Sequence, residues 1–142
     1  QAQTTNDALA SAGVSNVGTR IVSAHSAGGF ALQQAMQRHP DGSGVQADRL
    51  ELEDCLYGPE KDIAAWARTP AGQAAKDVVY LHGTNDAGRD RDIARAFGSR
   101  YRKIEVAAPR AKDIPLVDGK PKYAADAHDR TVGEFMDSVP GP

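Results

Sequence analysis

The stretch Thr19–Gly29, TRIVSAHSAGG, decides how this chain is read. Its first part, Thr19–Ala24, is rich in β-branched and apolar residues and predicts a strand. Ala27–His39 predicts a helix that Pro40 stops, because the residue before a proline is pushed out of the α region. Leu32, Ala35 and Met36 fall on one face of that helix. Between the two elements the chain has to reverse its character within Ala24-His25-Ser26-Ala27-Gly28-Gly29. So sharp a turn brings the positions before and after the serine together, so those flanking residues must be small, and it drives the serine toward a strained backbone. Ala24 and Gly28 satisfy the size requirement. The turn lifts the Ser26 hydroxyl clear of the sheet at a helix N-terminus. There the Ala27 N–H and the positive end of the helix dipole can receive developing negative charge. The plainer alternative is a small-residue turn that merely caps a helix.

Outward from this segment, short apolar runs alternate with helical stretches, the pattern of a mostly parallel sheet covered by helices. Asp7–Ala12 predicts the end of a helix closed by Gly13. Asp41–Gly44 is turn-rich, Arg49–Leu56 (RLELEDCL) predicts a second strand, and Gly58-Pro59 punctuates it. Glu60–Arg68 predicts a helix with Ile63, Trp66 and Ala67 toward the sheet. Asp77–Leu81 (DVVYL) predicts a third strand ending at His82-Gly83. Asp90–Tyr101 predicts a helix carrying Ile93 and Phe97 at i, i+4, and Lys103–Ala107 a fourth strand. Ala108–Ala127, rich in Pro, Gly and Lys, predicts a long surface loop, and loops of that length are often functional. Asp129–Val139 predicts a closing helix with Val132, Phe135, Met136 and Val139 on one buried face. No repeat or low-complexity tract interrupts this order.

Composition narrows the function classes. At 142 residues and 15.0 kDa the chain has room for one domain with a real core and not for two. A dispersed net charge of −2 gives no footprint for nucleic acid or for an anionic membrane. No run reaches the roughly 18 apolar residues of a membrane span, and Gln1–Ala12 has neither a basic nor an apolar leader segment. The lone Cys55 excludes an internal disulfide and any multi-cysteine metal site, and its apolar strand context predicts an inert core thiol. The histidines lack the i, i+4 spacing of a helical zinc site, so neither metal nor cofactor is expected. Localisation is not legible from these residues.

The strand–turn–helix of Ala24–Gly29 resembles the nucleophile elbow, G-x-S-x-G, of the α/β-hydrolase family, with Ala24 in the first glycine position. The family's chain order is serine, acid, histidine, and the resemblance is to the C-terminal half of its fold, from about Thr19 to Val139. It implies Ser26 as nucleophile and the Ala27 N–H as one oxyanion donor. Val78–Asp86 (VVYLHGTND) looks like the family's seventh strand and acid-bearing loop, which makes Asp86 the triad acid; a solvated turn at Asn85–Gly88 is the alternative. Asp54, at the end of LELEDCLYG, competes, because some hydrolases carry the acid after that earlier strand. His128, late in the chain and just before the last helix, becomes the base; an exposed loop histidine beside a helix-starting Asp126 or Asp129 is its alternative. His25 is similar to a residue with a packing or supporting role. His39 suits a helix end, and His82 belongs to the turn under the acid loop. The chain is also similar to a less-described group of hydrolase-like proteins with an A-H-S-x-G-G elbow, an aromatic-glycine pair (Tyr57-Gly58) and an A-A-W helix (Ala64–Trp66).

These likenesses imply a serine hydrolase that splits an ester or related acyl bond in a small-molecule pocket lined by the 108–127 loop. The competing expectation is a catalytically inactive hydrolase-like module that binds a partner. The family's front strands, and the loop that provides its second oxyanion donor, are not in this sequence. Four strands alone would present an open edge. The expectation is therefore a portion of a domain, cut or processed from a longer precursor, whose N-terminal half is a second chain or a missing segment. A flavodoxin-like domain is disfavoured because no glycine-rich phosphate loop follows the first strand.

Overall fold

In the computed structural model, residues 4–83, 88–106, 116–117 and 120–121 are described. Four strands form one all-parallel sheet in sequential order: β1 (Ile21–His25), β2 (Arg49–Glu53), β3 (Asp77–His82) and β4 (Tyr101–Glu105). The protein is an α/β structure, as the alternation of apolar runs and helical stretches predicts. Registers run Val22–Leu50–Val78–Tyr101 and, two residues on, Ala24–Leu52–Tyr80–Lys103. A parallel neighbour requires a crossover, and crossovers of one hand that always step in one direction put their helices on one face. The helices α2 (Gly28–Arg38), α3 (Glu60–Trp66) and α5 (Arg91–Phe97) all lie there. Leu32 and Met36, Ile63 and Trp66, and Ile93 and Phe97 form one cluster with Leu50, Leu52, Val78 and Tyr80. Each fully buried aliphatic side chain contributes about 1.5–3 kcal/mol. The Trp66 Nε1–H donates to the Val45 carbonyl at 3.0 Å, so the largest side chain of the layer buries no unpaired donor.

Period 2 sends the alternate residues to the opposite face. There Val79 and Leu81 join Val106 in a small apolar cluster. The same face of β2 carries Glu51 and Glu53, both buried, at 0% and 2% exposure. Glu51 is ion-paired with Arg49. Burial raises the Glu51 carboxyl above the usual range, and the Arg49 charge opposes the shift.

Several boundaries differ from the sequence expectation, each for a local reason. The first helix, α1, spans Thr5–Ser11 because Thr4 and Asp7 form a reciprocal capping box ahead of it, and Gly13 at φ 73° ends it. β2 stops at Glu53 instead of Leu56, because Asp54 turns left-handed at φ 44°. The expected helix Glu60–Arg68 ends at Trp66, and a further helix, α4 (Pro70–Ala74), follows it. Thr69 caps α4, its Oγ1 accepting from the Gly72 N–H at 3.1 Å. The helix expected over Asp90–Tyr101 ends at Phe97, because Gly98 at φ 57° breaks it into a 3-10 turn and β4 begins early. Arg100 then reaches back to α4. Its Nη1 donates to the carbonyls of Gly72, Gln73 and Ala75 at 2.9, 3.1 and 2.6 Å, closing that helix's C-terminus from outside. Within the expected 108–127 loop, β5 (Leu116–Val117) and β6 (Lys120–Pro121) pair as a short antiparallel ladder. The expected closing helix Asp129–Val139 lies outside the described residues.

Candidate active site

The β1–α2 junction has the geometry that its small residues predict. Ser26 sits at φ 50°, a backbone region costly for any residue but glycine. Two hydrogen bonds hold it there: its N–H donates to the Glu53 carbonyl at 3.0 Å, and its carbonyl accepts from the Gly29 N–H at 3.1 Å. The helix N-cap is Ala27, which has no side-chain acceptor to offer. The Phe30 N–H donates to the Ala27 carbonyl at 3.1 Å. Among the described residues the N–H groups of Ala27 and Gly28 have no backbone acceptor, so the first turn presents two donors beside the Ser26 side chain. α2 thus begins without a side-chain cap.

The size constraint falls one residue later than expected. A methyl added at Gly28 would meet the Ala24 Cβ at 4.0 Å, an ordinary contact, so positions 24 and 28 limit only their combined bulk. At Gly29 an added Cβ would lie 2.5 Å from the Cys55 carbonyl oxygen. Glycine is required at position 29 for the helix to approach the end of β2. Cys55 itself is 1% exposed and its thiol is pushed up to about 12 by burial, the inert core cysteine that its context predicts.

The residue after β2 repeats the backbone of the residue after β1. Asp54 lies level with Ser26 on the neighbouring strand, since His25 pairs in register with Glu53, and parallel strands run about 4.8 Å apart. The Asp54 N–H donates to the Leu81 carbonyl at 2.8 Å. Tyr57, half exposed, lies close enough to Asp54 to feel its charge. Partial burial first and the Asp54 charge second hold the Tyr57 phenol above its usual range. Arg89 stacks over the Tyr57 ring at 5.3 Å and donates from Nη1 to the Leu56 carbonyl at 2.9 Å.

The structure therefore brings Ser26, Ala27 and Asp54 to one edge of the sheet. Asp86 and His128, the expected acid and base, lie outside the described residues, as do Asp126 and Asp129. Of the other histidines, His25 stands beside Glu53 and its charge opposes the burial that raises the Glu53 carboxyl. His82 is buried at the end of β3, its Nδ1 2.5 Å from the Gly83 carbonyl and its ring stacked on Tyr80 at 5.4 Å. His39 lies at the far end of α2, with Nδ1 3.4 Å from the Ser43 hydroxyl. No group of three His, Cys, Asp or Glu among the described residues is placed to hold a metal ion, and no helix among them is long and apolar enough to cross a membrane.

Arg89 and the Asp54–Tyr57 pair carry no signal in the sequence pattern. Tyr57 is visible in the aromatic-glycine pair, but nothing in the spacing announces that Arg89, from the far side of β3, closes over it. Comparison with protein-family models, with curated proteins and with solved structures finds no match to this chain.

Proposed function

We propose that this protein is a serine hydrolase that cleaves an ester or related acyl bond, with Ser26 as its nucleophile. One observation carries the reading. Ser26 is a non-glycine residue held at φ 50° between the end of a parallel strand and the uncapped N-terminus of a helix. Strain of that kind costs about 1–3 kcal/mol and persists where a side chain has to be aimed.

In this reading the Ser26 Oγ attacks the acyl carbon and its proton passes to the imidazole of His128. The N–H groups of Ala27 and Gly28 face the oxygen that takes up negative charge. The bond to the leaving alcohol then breaks as the imidazolium returns the proton to it. Water attacks the resulting acyl-enzyme, gives a proton to the same imidazole, and Ser26 is regenerated with release of the acid. Asp86 orients the imidazole and stabilises its charged form. The reaction needs no metal or cofactor.

A fluorophosphonate probe tests the nucleophile directly. The folded wild-type protein becomes labelled at Ser26, and Ser26→Ala does not. A folded wild type that resists the probe would remove the hydrolase reading and favour a non-catalytic binding module.

A further inference from the structure

We infer that a cavity at the N-terminal edge of the sheet binds a small zwitterion, a free α-amino acid with an aliphatic side chain. The inference is independent of the chemistry proposed for Ser26, which stands at the opposite end of β1.

The cavity has a volume of about 310 Å³, at the lower limit of the roughly 300–1,000 Å³ of small-molecule sites, a size that suits an amino acid. Arg20, just ahead of β1, lines one side together with Gln46, Ala47 and Asp48, just ahead of β2. The two approaches are tied together. The Arg20 N–H donates to the Asp48 Oδ2 at 2.9 Å, and the Arg20 carbonyl accepts from the Asp48 and Arg49 N–H groups at 2.9 and 3.1 Å. Asp41 and Ser43 line it from the loop after α2, and Pro70, Ala71 and Ala74 line it from α4. That loop is pressed into place on both sides. A Cβ at Gly42 would lie 2.4 Å from the Thr69 Oγ1, and one at Gly44 would lie 2.4 Å from the Ala35 carbonyl oxygen. The walls are therefore formed before any ligand arrives.

The lining carries both signs of charge. The Arg20 Nε is buried and has no hydrogen-bond acceptor among the described residues. A buried donor left unmet is costly, and a ligand carboxylate would meet it through a charge-assisted bond. The Asp41 Oδ1 accepts from the Ser43 N–H and hydroxyl at 3.0 and 2.8 Å. Those bonds hold its carboxyl below the usual range, so it is ionised and suited to an ammonium group. Asp48 is engaged by the Arg20 N–H and lies 4.0 Å from the Lys76 Nζ, which gives the ammonium to Asp41. Ala47 and the α4 residues supply an apolar wall for an aliphatic side chain. A simple anion would face two aspartates and a simple cation would face Arg20. A molecule with both charges meets each with its opposite, and the mismatch of the others gives the specificity.

Calorimetric titration of the whole protein with L-leucine, 4-methylpentanoate and 3-methylbutylamine tests the assignment. The last two are leucine without its ammonium and leucine without its carboxylate. Wild type binds L-leucine with a Kd of about 1 mM or tighter, and binds each analogue about tenfold or more weakly. Arg20→Gln weakens L-leucine about tenfold and leaves 3-methylbutylamine unchanged. Asp41→Asn, at an exposed position, weakens L-leucine to a similar degree and leaves 4-methylpentanoate unchanged. Ser26→Ala binds L-leucine as wild type does. No binding of L-leucine, either analogue binding as tightly as L-leucine, or full binding to Asp41→Asn overturns the site. If Arg20→Gln fails to fold, Asp41→Asn still decides, because the asparagine oxygen keeps both Ser43 hydrogen bonds. Loss of fluorophosphonate labelling bears on Ser26 alone, so the two readings fail separately.

Discussion

Strands β1 and β2 end on the same rare backbone, Ser26 at φ 50° and Asp54 at φ 44°, and each passes its N–H to the next strand over. They differ in the element each leads into. After Ser26 the helix begins at once, so the hydroxyl stands beside amide donors with no side-chain cap. After Asp54 a loop intervenes before α3, and Tyr57 of that loop lies near the carboxylate. Strain alone therefore does not mark a nucleophile. The same bend serves two purposes, and the neighbouring element decides which. At β1 it sets a hydroxyl beside a helix terminus, and at β2 it sets a carboxylate at the start of a loop.

The sharpest way to break this division is to neutralise the two acids separately. Asp86→Asn is expected to lower turnover by about 10³–10⁴, as loss of an imidazole-orienting carboxylate does. Asp54→Asn is expected to cost far less, about tenfold, through a loosened Tyr57. Steady-state kinetics on one activated ester settles it, and the reverse order of effects would give the acid role to the end of β2.

The contact between the two strand ends gives the next largest effect. Gly29→Ala drives a methyl into the Cys55 carbonyl and is expected to destabilise by about 2–4 kcal/mol. Gly28→Ala meets only ordinary contact and is expected to stay within about 0.5 kcal/mol. Denaturant midpoints of the two variants would contradict this packing if they fell together.

Relief of strain comes next. Ser26→Gly and Asp54→Gly each exchange a costly left-handed residue for one that adopts it freely, so each is expected to gain about 1 kcal/mol. Only Ser26→Gly should also abolish probe labelling. A loss of stability in both would show that the side chains, and not the backbone, hold these bends.

The smallest expected effect concerns Glu53, whose carbonyl holds the Ser26 N–H. Its carboxyl is raised by burial first, against the His25 charge and a Ser23 hydrogen bond. A raised carboxyl favours a protonated folded state. Its contribution to stability is whole below the unfolded value of about 4.3 and is lost as pH rises through the folded value. Glu53→Gln stays neutral throughout. Its stability relative to wild type should therefore improve as pH rises above about 4. Thermal melts that show a constant difference as pH rises would assign Glu53 no proton linkage.

The periodic elements were legible because their signals are local. Leu32 and Met36, Ile63 and Trp66, and Ile93 and Phe97 are each spaced for one helix face, and all six are buried as that spacing demands. The strand-to-helix turn at Ala24–Gly29 was legible, but the glycine its packing requires is Gly29, one residue past the pair the sequence singled out. The boundaries at Asp54 and Gly98 were not, since a left-handed residue leaves no periodic trace in the runs around it. Helix α4 at Pro70–Ala74 carries its signal in Thr69-Pro70, an N-cap followed by proline, but is short enough to hide behind its neighbour. Arg89 could not be read at all. Its partners, Tyr57 and the Leu56 carbonyl, are more than thirty positions away in sequence, and only the sheet brings them together.

The clamp formed by Arg100 bears on how the chain is made. Helix α4 is five residues long, too short to persist in water by itself, and the side chain that satisfies its last carbonyls is encoded about 25 residues later. A ribosome-bound chain that has exposed only β1 to β3 would hold this corner open. Completion would wait until the start of β4 emerges, so the third and fourth strands are expected to lock in as one cooperative step.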